Sequence, residues 1–425
     1  MQEYNGIPTR PENDLRDFFQ QITEEGIRTD YYGVAYDIRG MRNLNDQLGR
    51  NAGTDLMRAH AQGLQNLIGV SGMVARKSGD AYVALFTRSH KDEVIDYLKN
   101  TEVSAMGGSV LRNISCHAGY YGITELCTNY EDLNEILNEA LRLSRTQAST
   151  EMFAFCDDTV MQKLNERREI AGMFADALAN EEFLVFYQPK VETKRYRMKG
   201  AEALCRWKHN GEMILPFRFI PVYEQNGDIC KLDFYMLEHV CRDLARWQKE
   251  GKEIVRVSVN LSREHMGDPR LVEHIVEIID RNHVPHEYIE IELTETSSEV
   301  DYMELKNIVN SLHDAGICTS VDDFGVAYSS MNLLIEYPWD VVKIDRSFVP
   351  LGTDDEEDKK RLIMLQAIVS IARQLDIECI AEGVETVEQL LILKKNGCNN
   401  IQGYFFDRPM PSDQFEERLD ALKEL

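Results

Sequence analysis

The chain has no long apolar run. Nothing in its 425 residues approaches the roughly 18–20 consecutive apolar residues that span a bilayer. Residues 1–10 also lack the charged-then-apolar pattern of a leader peptide. No membrane association and a cytoplasmic location are therefore expected. The nine cysteines include no C-x-x-C pair, so they read as reduced core thiols rather than metal ligands or disulfides. Positive charge is scarce. With 47 Lys and Arg against 72 Asp and Glu the net charge is −25, and a polymeric nucleic acid would be repelled. A small phosphate ligand is not excluded, because bound divalent cations invert an acidic local field.

What is present is ample core material, 43% hydrophobic residues, in a chain long enough for two domains. After a leftover segment 1–13, residues 14–157 alternate short strands and helices. Runs rich in β-formers cover 31–38, 73–76, 82–86, 114–121 and 152–155, and helical periodicity covers 55–67, 91–98 and 133–143. Ser78-Gly79-Asp80 lies between two of the strands as a hairpin turn signal. This pattern predicts a compact α+β sandwich. A charged helical stretch over 157–179 holds the boundary, and the second domain is taken as 158–425.

The second half is repetitive. Apolar strand candidates at 184–187, 200–204, 255–259, 289–293, 317–321, 341–344, 378–381 and 401–404 are mostly separated by helical stretches such as 231–249, 270–281, 303–315, 361–375 and 387–396. The alternation predicts a (β/α)8 barrel of the TIM type, whose site lies at the C-terminal strand ends. Those ends carry Glu202, Asn260, Glu292 with Glu295, Asp322 with Asp323, Lys343, Glu382 with Glu385, and Gln402. Carboxylates crowded at one mouth repel and call for cations. An oxygen-rich set with one amide suits Mg²⁺ or Mn²⁺ rather than zinc. The adjacent Asp322-Asp323 is what a two-metal site uses to bridge ions about 3.5–4 Å apart. From pattern alone the second half is a metal-dependent barrel acting on phosphate esters.

At these residues the sequence resembles the EAL-domain family of cyclic di-GMP phosphodiesterases, from about Lys163 onward. The resemblance rests on Tyr187-Gln188-Pro189, Glu202-Ala203-Leu204-Cys205-Arg206-Trp207, Val259-Asn260-Leu261-Ser262, Glu292-Leu293-Thr294-Glu295, Asp322-Asp323-Phe324-Gly325, Lys343-Ile344-Asp345, Glu382-Gly383-Val384-Glu385 and Gln402-Gly403-Tyr404, in that order. It implies hydrolysis of cyclic di-GMP to linear pGpG with two Mg²⁺ or Mn²⁺ ions per barrel. Glu202, Asn260, Glu292 and Asp322 would hold one ion, and Asp322 with Asp323 would hold or bridge the second. Lys343 would position or deprotonate the attacking water and Glu382 would assist. Gln188, Arg206 and Gln402 would contact substrate, and Glu295 would anchor the loop after Asp323. One departure is Ala327, where the family has a second glycine after Asp-Asp-Phe-Gly; a positive φ there would strain alanine.

The first half resembles a degraded GGDEF diguanylate-cyclase domain, which implies a nucleotidyl-cyclase-like, ferredoxin-like palm. Asp37-Ile38 and Asn45-Asp46 match that family, but the signature reads Ser78-Gly79-Asp80-Ala81-Tyr82. Ala81 replaces a metal-binding acid, Thr54 replaces a guanine-reading aspartate, and Arg145 with Ala148-Ser149 replaces triphosphate partners. A catalytically inactive domain in a regulatory or dimerising role is expected, within a homodimer. Asp37 and Asp80 remain, which leaves room for weak GTP binding. For the whole chain two readings compete: an active phosphodiesterase, and a receptor that binds cyclic di-GMP without cleaving it and signals through a partner. Loss of a carboxylate or of Lys343 would favour the receptor, and none is lost.

Overall fold

The computed structural model describes residues 10–146, 152–294, 299–325, 332–353 and 355–420. Glu295, Val326, Ala327, Ala148 and Ser149 lie outside them. The chain forms two compact units, Met1–Arg168 and Glu169–Leu425. Among the described residues no helix is long and apolar enough to cross a membrane.

In the first unit the strands Arg10–Pro11, Met73–Ser78, Ala81–Thr87, Tyr31–Ile38, Cys116–Gly122 and Phe153–Cys156 form one sheet in that spatial order. Its central pairs are antiparallel and its two outermost pairs are parallel. Along Tyr31–Ile38 the pleat sends Val34, Tyr36 and Ile38 to a core shared with the helix Arg50–Ile68 and the helix Lys91–Lys99. Ala35 joins the opposite core, with Leu15 and Phe19 of the helix Glu12–Glu24 and Leu133 and Leu137 of the helix Tyr130–Thr146. Both faces are covered, so the strand reads as a continuous apolar run. Gly79 supplies the positive φ, 53°, that the two-residue turn into Ala81–Thr87 requires.

His60 is fully buried in the first of these cores, beside Tyr36 and Tyr97. Burial lowers its pKa from the ordinary 6.5 to about 4. Between those values the unfolded chain binds a proton that the folded unit refuses, so stability is lost as pH falls from about 6.5 towards 4. The loss reaches roughly 3 kcal/mol at the acid end of that window. Hydrogen exchange of the strand Tyr31–Ile38 at pH 7 and pH 5, corrected for intrinsic rates, is expected to show it in wild type. In His60→Leu this contribution to the pH dependence should vanish; an unchanged dependence would place the titrating group elsewhere.

The second unit is a closed eight-stranded barrel. Its strands are Phe183–Glu192, Arg197–His209, Arg256–Leu261, Ile289–Thr294, Cys318–Phe324, Val341–Ile344, Glu378–Ala381 and Asn400–Ile401, and the last pairs with the first. Strands two to eight run parallel. The first runs antiparallel to both of its barrel neighbours. The cause is the connection. Only residues 193–196 join strands one and two, and a parallel crossover needs about a dozen residues or more.

The barrel interior inverts the usual arrangement, in which branched apolar side chains fill it. Val257 and Val259, Ile289 and Ile291, and Val342 and Ile344 pack in the apolar cluster with the helices Ile229–Lys249, Leu271–Arg281 and Glu356–Gln374. The intervening Ser258, Glu290, Glu292 and Lys343 are buried, and Lys190 of strand one bonds to the first three while Lys343 of strand six bonds to Glu292, across strands that are not neighbours in the sheet. Such contacts are possible only through the barrel's centre.

Candidate active site

The parallel ladder sets the height of each polar side chain. Asn260 stands opposite Glu292, Thr294 opposite Asp322, and Lys343 opposite Ile380. Backbone bonds extend the ladder past its last residues: Glu382 N donates to Ile344 O at 3.0 Å, and Gln402 N to Ala381 O at 2.9 Å. The turn after Glu382 is tight. Gly383 has φ 63°, and a Cβ there would lie 2.6 Å from that of Arg346. The following helix is fixed by a capping box between Thr386 and Gln389, whose side-chain oxygen also accepts from Glu385 N at 2.8 Å.

Strand five carries a bulge. Val321 pairs with Val342 and Phe324 with Ile344, so Asp322 and Asp323 together span the place of one partner residue. Asp323 has φ 50°, a left-handed conformation that aspartate tolerates better than most residues. Asp323 N donates to Asp322 Oδ1 at 3.0 Å. In a regular strand successive side chains point to opposite faces. Here carboxylate oxygens of Asp322, Asp323 and Glu382 all lie within 4.8 Å of one another.

Lys343 is at the centre. Its Nζ lies 2.7 Å from Glu382 Oε1, 2.8 Å from Glu292 Oε2, 3.0 Å from Asp322 Oδ1 and 3.6 Å from Glu202 Oε2. Glu202 accepts from Asn260 Nδ2 at 3.0 Å and also from Gln402 Nε2, which lies 3.2 Å from Gln188 Oε1. Beneath them the Nζ of Lys190 contacts Glu292 Oε1 at 2.9 Å, Glu290 Oε1 at 2.9 Å and Ser258 Oγ at 2.7 Å.

Carboxylates outnumber cations here, and their proton affinities reflect it. Burial raises Glu382, Lys343 offsets part of that, and Asp322 and Glu202 add to it, so its carboxyl is pushed up to about 8. Glu202 is raised by burial and by Glu292. For Glu292 burial also acts upward, but Lys190 and Lys343, one on each oxygen, hold it well below the usual carboxylate range. Lys343 is driven down by burial and driven up, more strongly, by its ring of carboxylates.

Two cavities open at this end. One, of about 260 Å³, is lined by Gln188, Glu202, Asp322, Lys343, Glu382 and Gln402. The other, about 610 Å³ and mainly apolar, is lined among others by Arg206, Asn260 and Asp323. Arg206 does not enter the carboxylate cluster. Its guanidinium lies over the Phe186 ring at 5.6 Å and donates to Cys205 O. The remaining expected site residues converge at the mouth, except Glu295, which is outside the described residues. Lys190 and Glu290 are additions. Their signal was the i, i+2 spacing, Gln188 with Lys190 and Glu290 with Glu292, that puts each pair on one face of a strand.

In the first unit Asp37 faces Ala81 directly across the sheet, so an acid at 81 would stand beside it. Arg145 Nε donates to Asp37 Oδ2 at 2.7 Å, and His117 Nδ1 lies 3.2 Å from Asp37 Oδ1. Both Asp37 oxygens are engaged by side chains of the protein itself.

A barrel with one reversed strand and an acidic mouth defines a class, and the family comparison agrees. The EAL domain family matches residues 171–409, and the diguanylate cyclase GGDEF domain family matches residues 15–150. The chain belongs to the EAL-domain family and carries a GGDEF-type domain before its barrel. It is 30% identical to cyclic di-GMP phosphodiesterase NbdA of Pseudomonas aeruginosa over 415 residues, 96% of this chain and 52% of NbdA. It is 28% identical to the bifunctional diguanylate cyclase/cyclic di-GMP phosphodiesterase MucR of the same organism, over 94% of this chain and 59% of MucR. The chain spans about half the length of the curated relatives it matches. Among solved structures, the PaMucR phosphodiesterase in complex with c-di-GMP is similar at 33% identity and TM-score 0.54, covering 58% of this chain and 99% of that one.

Proposed function

We propose that the barrel hydrolyses one phosphodiester bond of cyclic di-GMP to give linear pGpG, with Mg²⁺ or Mn²⁺. The observation that carries this reading is the ring of Glu202, Glu292, Asp322 and Glu382 around Lys343, with Asp323 close by. The donor set fits divalent cations: all oxygen, with the Glu382 carboxyl pushed up to about 8 by burial and, beyond what Lys343 offsets, by Asp322 and Glu202. Glu202, Asn260, Glu292 and Asp322 would hold one ion, and Asp322 with Asp323 the second, with Glu382 beside it. Bound there, such ions supply Lewis-acid polarisation of a phosphoryl oxygen and a water acidic enough to attack phosphorus in line.

The chain's own residues supply the positioning. Lys343 fixes three carboxylates at 2.7–3.0 Å and orients the attacking water. Gln188 and Gln402 present amides at the mouth, and Arg206 offers a planar donor fork to phosphate or guanine from the adjoining cavity. Incubating the full chain with cyclic di-GMP and Mn²⁺ or Mg²⁺ is expected to yield pGpG, and chelation to abolish it. Tight binding of cyclic di-GMP with no pGpG under those conditions would sink the hydrolase reading in favour of a receptor.

For the first unit the proposal is a catalytically inactive domain with a regulatory or dimerising role, with a homodimer as the assembly that light scattering on the full chain checks. The full chain should form no cyclic di-GMP from GTP, since Ala81 offers no ligand and Asp37 is bound to Arg145 and His117. Any GTP binding should be weak. Arg145→Ala frees one Asp37 oxygen and is expected to increase the thermal shift produced by GTP with Mg²⁺, without restoring cyclisation. Cyclic di-GMP made from GTP by wild type would overturn this.

A further inference from the structure

We propose that Lys190 is a positioning residue that holds Glu292 in the orientation the mouth needs to take up a divalent cation. The inference rests on the reading of Glu292 as a cation ligand. Lys190 sits on the one antiparallel strand of the barrel, below the mouth, and only 4% of it is exposed. It does not line the mouth cavity, where Lys343 does. Its position excludes contact with substrate.

Its ammonium has three protons and three acceptors: Ser258 Oγ at 2.7 Å, Glu290 Oε1 at 2.9 Å and Glu292 Oε1 at 2.9 Å. Every donor is used, and each acceptor comes from an inward position of strand three or four. The ammonium therefore has no second orientation of equal quality. Glu290 is held in turn from its other oxygen, with Arg256 Nε at 2.9 Å from Oε2. Glu292 is gripped at both ends, by Lys190 on Oε1 and by Lys343 on Oε2 at 2.8 Å. With Oε1 tied below, Oε2 is the oxygen turned to the Lys343 ammonium, which also meets Asp322 and Glu382.

Two roles for such a lysine make different predictions. If Lys190 serves only to offset the buried charge of Glu290 and Glu292, any change that keeps the charge balance will do. If it orients Glu292, the balance is not enough, and the bond to Oε1 is what counts. Groups that hydrogen-bond ligating side chains typically change metal affinity by roughly 10–100-fold when removed.

The test is Mn²⁺ binding to the full chain without substrate, followed by the electron paramagnetic resonance of free Mn²⁺. Lys190→Met leaves two buried carboxylates short of a partner and is expected to lower the melting temperature. The informative variant is therefore Lys190→Met with Glu290→Gln, which removes one charge of each sign and keeps an amide oxygen at position 290 to face Arg256. It is expected to melt close to wild type and yet to bind Mn²⁺ roughly 10–100-fold more weakly. At saturating Mn²⁺ its KM for cyclic di-GMP should stay within about twofold of wild type, since the lysine does not touch substrate. Wild-type Mn²⁺ affinity in this double variant would overturn the positioning role. Glu292→Gln, measured in parallel, separates the two levels. If it too binds Mn²⁺ like wild type, the assignment of Glu292 as a ligand fails, and the inference fails with it.

Discussion

Glu202→Gln is expected to lower kcat/KM for cyclic di-GMP by on the order of 10³ or more, while the metal-free protein melts no lower than wild type. The activity estimate follows from the several kcal/mol of charge stabilisation that a bound cation contributes, each 1.4 kcal/mol being about tenfold in rate. Glu202 is buried within strand two, with its oxygens towards Asn260, Gln402 and Lys343. Glutamine keeps the shape; with its oxygen towards Lys343 and Gln402 its amide nitrogen faces Asn260, whose own amide can turn to accept, so the main loss is that of a charge. The stability side has the opposite sign. Burial and Glu292 both work against ionised Glu202, so removing its charge relieves repulsion in the absence of cations. The site is held at a stability cost that function requires. A variant retaining near-wild-type turnover would remove the basis for the whole constellation. One that loses activity because it melts far below wild type would show the residue to be structural.

Much of this mouth was legible in the sequence because it interrupts apolar strands at regular places. Strands Val341–Ile344 and Glu378–Ala381 have the bounds that the apolar runs predicted, with Lys343 inside one and Glu382 just past the other. Direction was not legible in the same way. A β-rich run has no sense of its own, and only the four-residue link at 193–196 reverses strand one. The bulge at Asp322-Asp323 was hidden as well, since it exists only relative to the register of strand six. The lower half of the site, Lys190 with Glu290, was hidden because barrel interiors are ordinarily apolar and the functional groups of such barrels ordinarily sit at the strand ends. Arg145 and Asp37 are 108 residues apart, and no spacing rule connects them.

The two lysines of the barrel interior share one electrostatic problem, more buried carboxylates than protein cations. They solve different parts of it. Lys190 is matched by Glu290 and Glu292, and Glu290 has Arg256 in addition, so the lower layer is nearly balanced without added ions. Lys343 shares Glu292 with Lys190 and also faces Glu202, Asp322 and Glu382, so the upper layer stays negative. The mouth, rather than the barrel's floor, thereby carries the uncompensated charge that the proposed cations would balance.

Lys343→Met should consequently be the most destabilising single change at the mouth when cations are withheld, and the one best repaired when they are supplied. Removing one partner of a buried ion network costs roughly 3–5 kcal/mol, because the charges left behind are uncompensated. The side chain is 1% exposed, so solvent screening gives little relief. At about 2–4 °C per kcal/mol for a unit of this size, the barrel's melting temperature in chelator should fall by roughly 10 °C. The methionine fills most of the lysine's volume, which keeps a cavity term from dominating. Cations that bind the folded mouth and not the unfolded chain then restore stability as RT ln(1 + [L]/Kd). The increment gained on adding Mn²⁺ should be larger in Lys343→Met than in wild type, where the ammonium already offsets part of the charge. Turnover should not follow stability back if Lys343 orients the attacking water as proposed. Scanning calorimetry in chelator and in millimolar Mn²⁺, beside a pGpG assay of the same samples, reads all three effects. A Lys343→Met protein that melts like wild type in chelator would mean the four carboxylates are neutralised by something other than this lysine. One that regains turnover along with stability would take Lys343 out of the reaction and leave it a structural cation.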